Sequence, residues 1–240
     1  MRLDRFISHA AGCSRSESRA FIKAGRVKLD GVICKNIGEE IPLSDLVTLD
    51  DRPMQLFENE YLMMNKPADV ITAAEDRSAR TVMDLLPDRY KKIKCMPIGR
   101  LDKDTTGLLI FTTDGKLHHR LLSPGQKVAK VYLAGTRLPL DASVAEQFKK
   151  GIDSPIIKAL PAQLEILESD LARVTVHEGQ FHQIKRMFEA VGNEVTRLNR
   201  RAFAGVELDP ALAPGEYRAL TAEETRTLYM QAGVKQNIEG

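Results

Sequence analysis

The sequence predicts an α+β protein of two unequal domains. Two observations carry that expectation: a compact pattern of two helices and a hairpin over about the first fifty residues, and a longer stretch in which short apolar runs alternate with short helical patterns. The second pattern suits an antiparallel or mixed sheet with flanking helices. Length agrees, because 240 residues at 43% apolar and 28% charged content leave room for one large domain or two unequal ones with a sizeable core.

Leu3, Phe6, Ile7 and Ala10 fall at helical spacing and predict a short amphipathic helix over 2–10, closed by Gly12. Ser14 and Glu17 have the spacing of a capping box and open a second helix, with Ala20, Phe21 and Ala24 as its apolar face and Gly25 past its end. Val27 to Leu29 and Val32 to Ile33 flank Asp30-Gly31, the dipeptide that most strongly signals a hairpin. Residues 50 to 59, with a proline and several charges between apolar runs, predict the boundary. The expected organisation is a first domain over 1–51, a linker over 52–59, a second domain over 60–231 and a tail over 232–240.

In the second domain the expected strands are Tyr61 to Met64, Leu108 to Thr112, Val128 to Ala134, Gln163 to Leu167, Ala172 to His177 and Glu194 to Leu198. Helices are expected at Ser143 to Lys150, ending on Gly151, and at His182 to Val191, with Ile184, Met187, Phe188 and Val191 as the apolar face. A last helix starts at Thr221, boxed by Glu224.

The overall charge is close to balance, 35 basic against 33 acidic residues, but its distribution is uneven. Residues 1 to 35 hold eight bases and three acids. A second run, Arg89, Lys91, Lys92, Lys94, Arg100 and Lys103, surrounds the single acid Asp102, and Arg197, Arg200 and Arg201 form a third cluster. Each alone suits a solvated face; three together favour a nucleic-acid partner. With 5% aromatics and no Trp, the chain lacks an aromatic-rich surface for sequence-tolerant binding of single strands.

Several classes are set aside. No run of about 18 apolar residues suggests a membrane span, and residues 1 to 20 do not read as a signal peptide. Cys13, Cys34 and Cys95 are odd in number and never spaced CxxC, which argues for a reducing cytoplasm and against a zinc ribbon. P-loop, GxGxxG, GxSxG and HExxH patterns do not occur. His118-His119, His177 and His182 lack metal-ligand spacing and read as surface or core residues, so no metal is expected.

The most informative segment is Gly99-Arg100-Leu101-Asp102-Lys103-Asp104-Thr105-Thr106-Gly107-Leu108, a polar turn feeding an apolar strand. Its DKDTTG run imitates the start of a calcium loop, but the twelfth position is Thr113 rather than Glu. On local grounds Asp102 and Asp104 could also be turn formers that bond nearby backbone. A lysine such as Lys185 could equally lie on a polar helix face, and a tyrosine such as Tyr132 in a strand core.

Two resemblances join these pieces. Arg2-Leu3-Asp4-Arg5-Phe6-Ile7, Ser14-Arg15-Ser16 and Ala24-Gly25-Arg26-Val27 with Asp30-Gly31 resemble an S4 domain, a small α/β RNA-binding module. Residues 99 to 108 resemble the motif G-R-L-D-x-D-T-[TS]-G-L of one branch of the pseudouridine synthases. Three further stretches match that branch in order: Met64-Asn65-Lys66-Pro67, Lys130-Val131-Tyr132, and Glu178-Gly179-Gln180-Phe181-His182-Gln183-Ile184-Lys185-Arg186-Met187. Gln180 departs from the pattern, standing where a basic residue is frequent.

The resemblance implies a catalytic domain built on a mixed, mainly antiparallel sheet with flanking helices, isomerising a uridine within RNA without a cofactor. Asp102 is then the essential carboxylate, acting as nucleophile or base at the sugar. Lys185 is its stabilising cation, with Arg186 as the alternative if the register slips. Tyr132 stacks on the uracil, worth about 1–3 kcal/mol per base, and can exchange a proton. Arg100 is the candidate to prop the space left by a flipped base, Leu109 a wall of the uracil pocket, and Asn65 and Lys66 supporting or RNA-contacting residues. Arg15, Arg19 and Arg26 are the expected RNA contacts of the S4-like domain. The expected partner is 16S ribosomal RNA, because the long basic C-terminal extension of many large-subunit enzymes is not seen, and a monomer is expected. Large-subunit RNA and a non-catalytic RNA-binding or assembly protein are the alternatives.

Overall fold

A computed structural model describes residues 1–41, 46–54 and 59–234. Residues 55–58 of the expected linker and 235–240 of the expected tail lie outside them. The chain divides into two compact units, Met1–Glu60 with Leu86–Met96, and Tyr61–Leu85 with Pro97–Gly240.

In the first unit the helices are α1 (Leu3–Ala10) and α2 (Arg15–Lys23). The capping box on α2 forms in both directions: the Glu17 amide donates to Ser14 Oγ, and the Ser14 amide donates to the Glu17 carboxylate. Four short strands follow, β1 (Val27–Leu29), β2 (Val32–Ile33), β3 (Val47–Leu49) and β4 (Arg52–Met54), in the order β2-β1-β3-β4. Asp30 and Gly31 both take positive φ, +47° and +82°, as the hairpin turn between β1 and β2 requires. Leu3, Phe6, Ile7, Ile22, Val27, Ile41 and Val47 form its core. A helix α3 (Asp88–Lys92) belongs to the same unit.

Residues 52–54, expected as linker, are thus a strand of the first sheet. Pro53 reads as punctuation in sequence, but β4 is an edge strand, where the missing amide of proline costs no ladder bond.

The second unit carries β5 (Tyr61–Lys66), β7 (Thr106–Thr112), β8 (Lys130–Thr136), β11 (Gln163–Glu168), β12 (Leu171–Val176), β13 (Val195–Phe203), β14 (Val206–Glu207) and β15 (Tyr217–Ala219). The two-residue strand β6 (Met96–Pro97) precedes β7, and β9 (Ile152–Asp153) pairs with β10 (Lys158–Ala159). The large sheet runs β11-β12-β8-β13-β7-β5-β15, with β14 beside β13. β6 lies beside β7; β13 pairs parallel with β7, where Asn199 faces Thr106 and Arg200 faces Gly107, while β11-β12-β8-β13, β7-β5-β15 and β13-β14 pair antiparallel. The sheet is mixed and mainly antiparallel.

Helices α4 (Gly115–Leu122), α5 (Ala142–Lys150), α6 (Gln183–Ala190) and α7 (Ala222–Ala232) flank it. Asp114 and Asp141 cap α4 and α5 at the N-terminus, and Thr221 with Glu224 boxes α7. Met63, Leu108, Ile110, Leu117, Leu121, Phe203 and Leu228 share one core under α4 and α7. Among the described residues no helix is long and apolar enough to cross a membrane.

β13 is the largest departure from expectation. It runs five residues beyond Leu198, and its alternation sends Arg200 inward to 2% exposure. The third basic cluster is therefore no continuous surface patch.

Candidate active site

Asp102 lies in the loop entering β7, and two side chains hold the backbone around it. Thr72, buried, accepts the Leu101 amide at 3.1 Å and donates to the Leu101 carbonyl at 2.8 Å. Lys66, with no exposed surface, donates its ammonium to the carbonyls of Pro67, Lys103 and Thr105 at 2.9, 3.2 and 2.9 Å. A turn bond from the Thr105 amide to the Asp102 carbonyl closes the loop. Asp102 is thus presented from a backbone tied down on both sides.

Its carboxylate is 30% exposed, with His182 Nε2 at 3.6 Å and Lys185 Nζ at 3.7 Å. Both groups come from the start of α6, where His182 takes a left-handed backbone, φ +50°. Lys185 also donates to both oxygens of Asp104, at 2.6 and 2.8 Å. That bond holds the Asp104 carboxyl below the usual carboxylate range. Lys185 therefore stands at ion-pair distance from Asp102 and hydrogen-bonds Asp104, so one ammonium is shared between two carboxylates.

The loop opens on a cleft of about 820 Å³. Arg100, Leu101, Asp102, Tyr132, His182 and Ile184 are among its lining residues. Tyr132, 9% exposed on the central strand β8, makes no hydrogen bond through its hydroxyl among the described residues. A cleft of this size, part apolar and part ionised, admits a nucleoside-sized group. Among the described residues no three His, Cys, Asp or Glu side chains are grouped to hold a metal.

Several expected site residues are placed elsewhere. Leu109 is wholly buried and does not line the cleft; Leu101 and Leu198 do. Lys66 cannot touch RNA, because three carbonyls enclose its ammonium. Asn65 donates its side-chain amide to the Leu212 carbonyl at 2.8 Å and so is a brace rather than a contact. The Arg186 guanidinium donates to the Ile156 carbonyl instead of reaching Asp102.

In the first unit the three expected RNA contacts each have an internal acid. Arg15 and Arg19 bond Asp4 at 2.9 and 3.2 Å, alongside Arg2 at 3.3 Å, and Arg26 bonds Asp50 at 2.8 Å while lying over the Phe21 ring. Burial pushes the Asp4 carboxyl up, but the Arg19 bond and the Arg15 and Arg2 charges outweigh it and hold it below the ordinary value. Three guanidiniums around one carboxylate still leave that corner positive.

Sequence reasoning missed Thr72, which carries no local signal, and His182, set aside as lacking metal-ligand spacing. It also passed over Phe181, 74% exposed and stacked on the His182 ring at 3.8 Å.

Burial pulls the Lys66 ammonium down to about 8, against attraction by Asp104, Asp102 and Asp69. The ordinary lysine value is near 10.5, so between the two the unfolded chain binds more protons and stability rises with pH. Urea unfolding of the wild type against Lys66→Met is expected to shift in favour of the wild type by on the order of 3 kcal/mol from pH 7.5 to 10.5. A difference flat with pH would show that Lys66 is not a buried ammonium.

The comparisons with known proteins agree with this geometry. Residues 60–190 match the RNA pseudouridylate synthase family model and residues 1–47 the S4 domain model. An uncharacterized RNA pseudouridine synthase of Bacillus subtilis is 42% identical, over 95% of this chain and 98% of that one. The ribosomal small subunit pseudouridine synthase A of Escherichia coli is 41% identical, over 93% and 98%, and that of Vibrio cholerae 40% identical, over 95% and 100%. A crystal structure of a pseudouridylate synthase superimposes with a TM-score of 0.67 at 35% identity, covering 95% of this chain and 99% of that one.

Proposed function

The chain belongs to the RNA pseudouridylate synthase family, isomerases that act on RNA, and from that premise we propose that it converts one uridine of small-subunit (16S) ribosomal RNA to pseudouridine. One observation carries the assignment of the chemistry. The Asp102 carboxylate lines a nucleoside-sized cleft, with the Lys185 ammonium and the His182 ring within 4 Å of it.

In this reading the target uridine is flipped into the cleft. Asp102 attacks the sugar or removes a proton from it, and the glycosidic bond breaks. Tyr132 stacks on the freed uracil, which turns and bonds through C5 to C1′ as the Asp102 ester is displaced or the proton taken from C2′ is returned, and the C5 proton then leaves to solvent with help from the Tyr132 hydroxyl. Arg100, exposed at the cleft, props the vacated stack. The first unit positions the RNA. The enzyme works as a monomer in the cytoplasm, where ribosomes assemble, and needs no cofactor.

The test is tritium release from C5-labelled uridine in small- and large-subunit transcripts and in partly assembled particles. Release from small-subunit RNA is expected. Release from large-subunit RNA alone would move the substrate, and none from any RNA would end the enzymatic reading.

A further inference from the structure

Among the cations that line the cleft, Arg200 is buried and Lys130 half-buried, and neither belongs to the group around Asp102. Arg200 is 2% exposed and makes no ion pair among the described residues. Its Nε donates to the Leu108 carbonyl at 2.8 Å, while its Nη2 is buried without a partner. The guanidinium lies over the Phe203 ring at 5.1 Å but pairs with no carboxylate among the described residues, so this wall of the cleft carries a cation without a counter-charge.

Lys130 is the second. Its ammonium donates to the Val128 carbonyl at 2.9 Å, and burial, with repulsion from Arg200 second, pulls it down to about 8. The one acid that attracts it, Glu178, already accepts from the Leu160 amide and from Gln180 and Gln183. Register explains why these cations lie together. Across β8 and β13, Arg200 is opposite Tyr132 and Phe203 is opposite Lys130, and all four line the cleft.

The chemistry proposed for Asp102 calls for a positive charge beside the base. When the C1′–N1 bond breaks, its electron pair goes to N1 and the uracil becomes an anion spread over N1 and its two carbonyl oxygens. If Asp102 attacks C1′, its carboxylate becomes a neutral ester; if it removes the C2′ proton, it becomes a neutral acid. On either route one negative charge leaves Asp102, beside Lys185, and arrives on the base.

We propose that Arg200, assisted by Lys130, holds that charge, stabilising the detached uracil anion through the interval in which it turns from N1 to C5. The guanidinium is fixed before the charge develops, so little reorganisation is needed when the bond breaks. The proposal rests on the uridine-isomerising function above, and the test separates the two.

Single-turnover conversion is measured on 16S transcripts made with uridine and with 5-fluorouridine; the isomeric uridine and pseudouridine nucleosides are separated by liquid chromatography, and the fluorinated base, which after bonding through C5 cannot lose fluorine as a cation and instead adds water at C6, is scored by the added mass of that water. Fluorine at C5 stabilises the departing anion on its own. Arg200→Met is expected to slow conversion of uridine by at least about 10²-fold and of 5-fluorouridine by at least tenfold less, with Arg200→Lys between Met and wild type. Lys130→Met should show the same convergence on a smaller scale, and decides the matter if Arg200→Met does not fold. Equal deficits on both substrates would overturn the proposal, since a merely structural role slows both alike. A wild type that converts neither RNA would instead remove the function on which it rests.

Discussion

Asp102→Asn should abolish tritium release, lowering single-turnover conversion by at least about 10⁴-fold, while the protein stays folded and binds RNA as tightly as the wild type. Asparagine keeps the shape of the side chain, but its neutral amide can neither attack the sugar nor take a proton from it. The fold should tolerate the change, because Lys185 retains its bonds to Asp104 at 2.6 and 2.8 Å, and Thr72 and Lys66 hold the loop through backbone carbonyls. RNA affinity should not fall, because the substitution removes a negative charge from a surface that must approach phosphates. Binding by gel shift and rate by tritium release check the two halves separately. Residual activity above about one part in a hundred would transfer the chemistry to another group, with Asp104, on the same ammonium, the first to examine.

What could be read in the chain was mostly local. The capping boxes at Ser14 and Thr221 and the Asp30-Gly31 turn depend on neighbours within a few residues, and each forms as expected. The polar run from Arg100 to Thr106 marks itself as a loop for the same reason. The misplacements come from long-range pairing. Lys66 looks like a solvent-seeking cation until the strand pairing of β5 with β7 brings to it the carbonyls of Lys103 and Thr105, beside that of the adjacent Pro67. Arg200 looks like one member of a surface cluster until the pairing of β13 with β7 turns it inward. Leu109 has the right polarity for a pocket wall, but it lies fully buried on β7, away from the cleft lining. His182 reaches Asp102 only because α6 begins at a left-handed residue, and no periodicity announces that.

The second glycine of the Gly99–Leu108 motif, Gly107, should tolerate no side chain. Gly107 has φ +99°, and a Cβ built there would fall on the Arg200 carbonyl oxygen and come within 2.8 Å of the Arg200 amide nitrogen. Both are backbone atoms of the parallel pairing of β13 with β7, so neither can swing aside as a flexible side chain would. On its other side Gly107 pairs with Lys66, the residue that holds the Asp102 loop. Gly107→Ala must therefore either strain its own backbone or part β7 from β13, and is expected to cost at least about 3 kcal/mol. Gly192 supplies the comparison, since its φ is +78° but a Cβ there would meet nothing within 4 Å. Gly192→Ala carries conformational strain alone and should cost about 1 kcal/mol. Urea unfolding of the two variants separates clash from strain. If Gly107→Ala proved no more costly than Gly192→Ala, the close approach of Arg200 would not be what requires glycine in the motif, and the glycine would have to be explained by the turn alone.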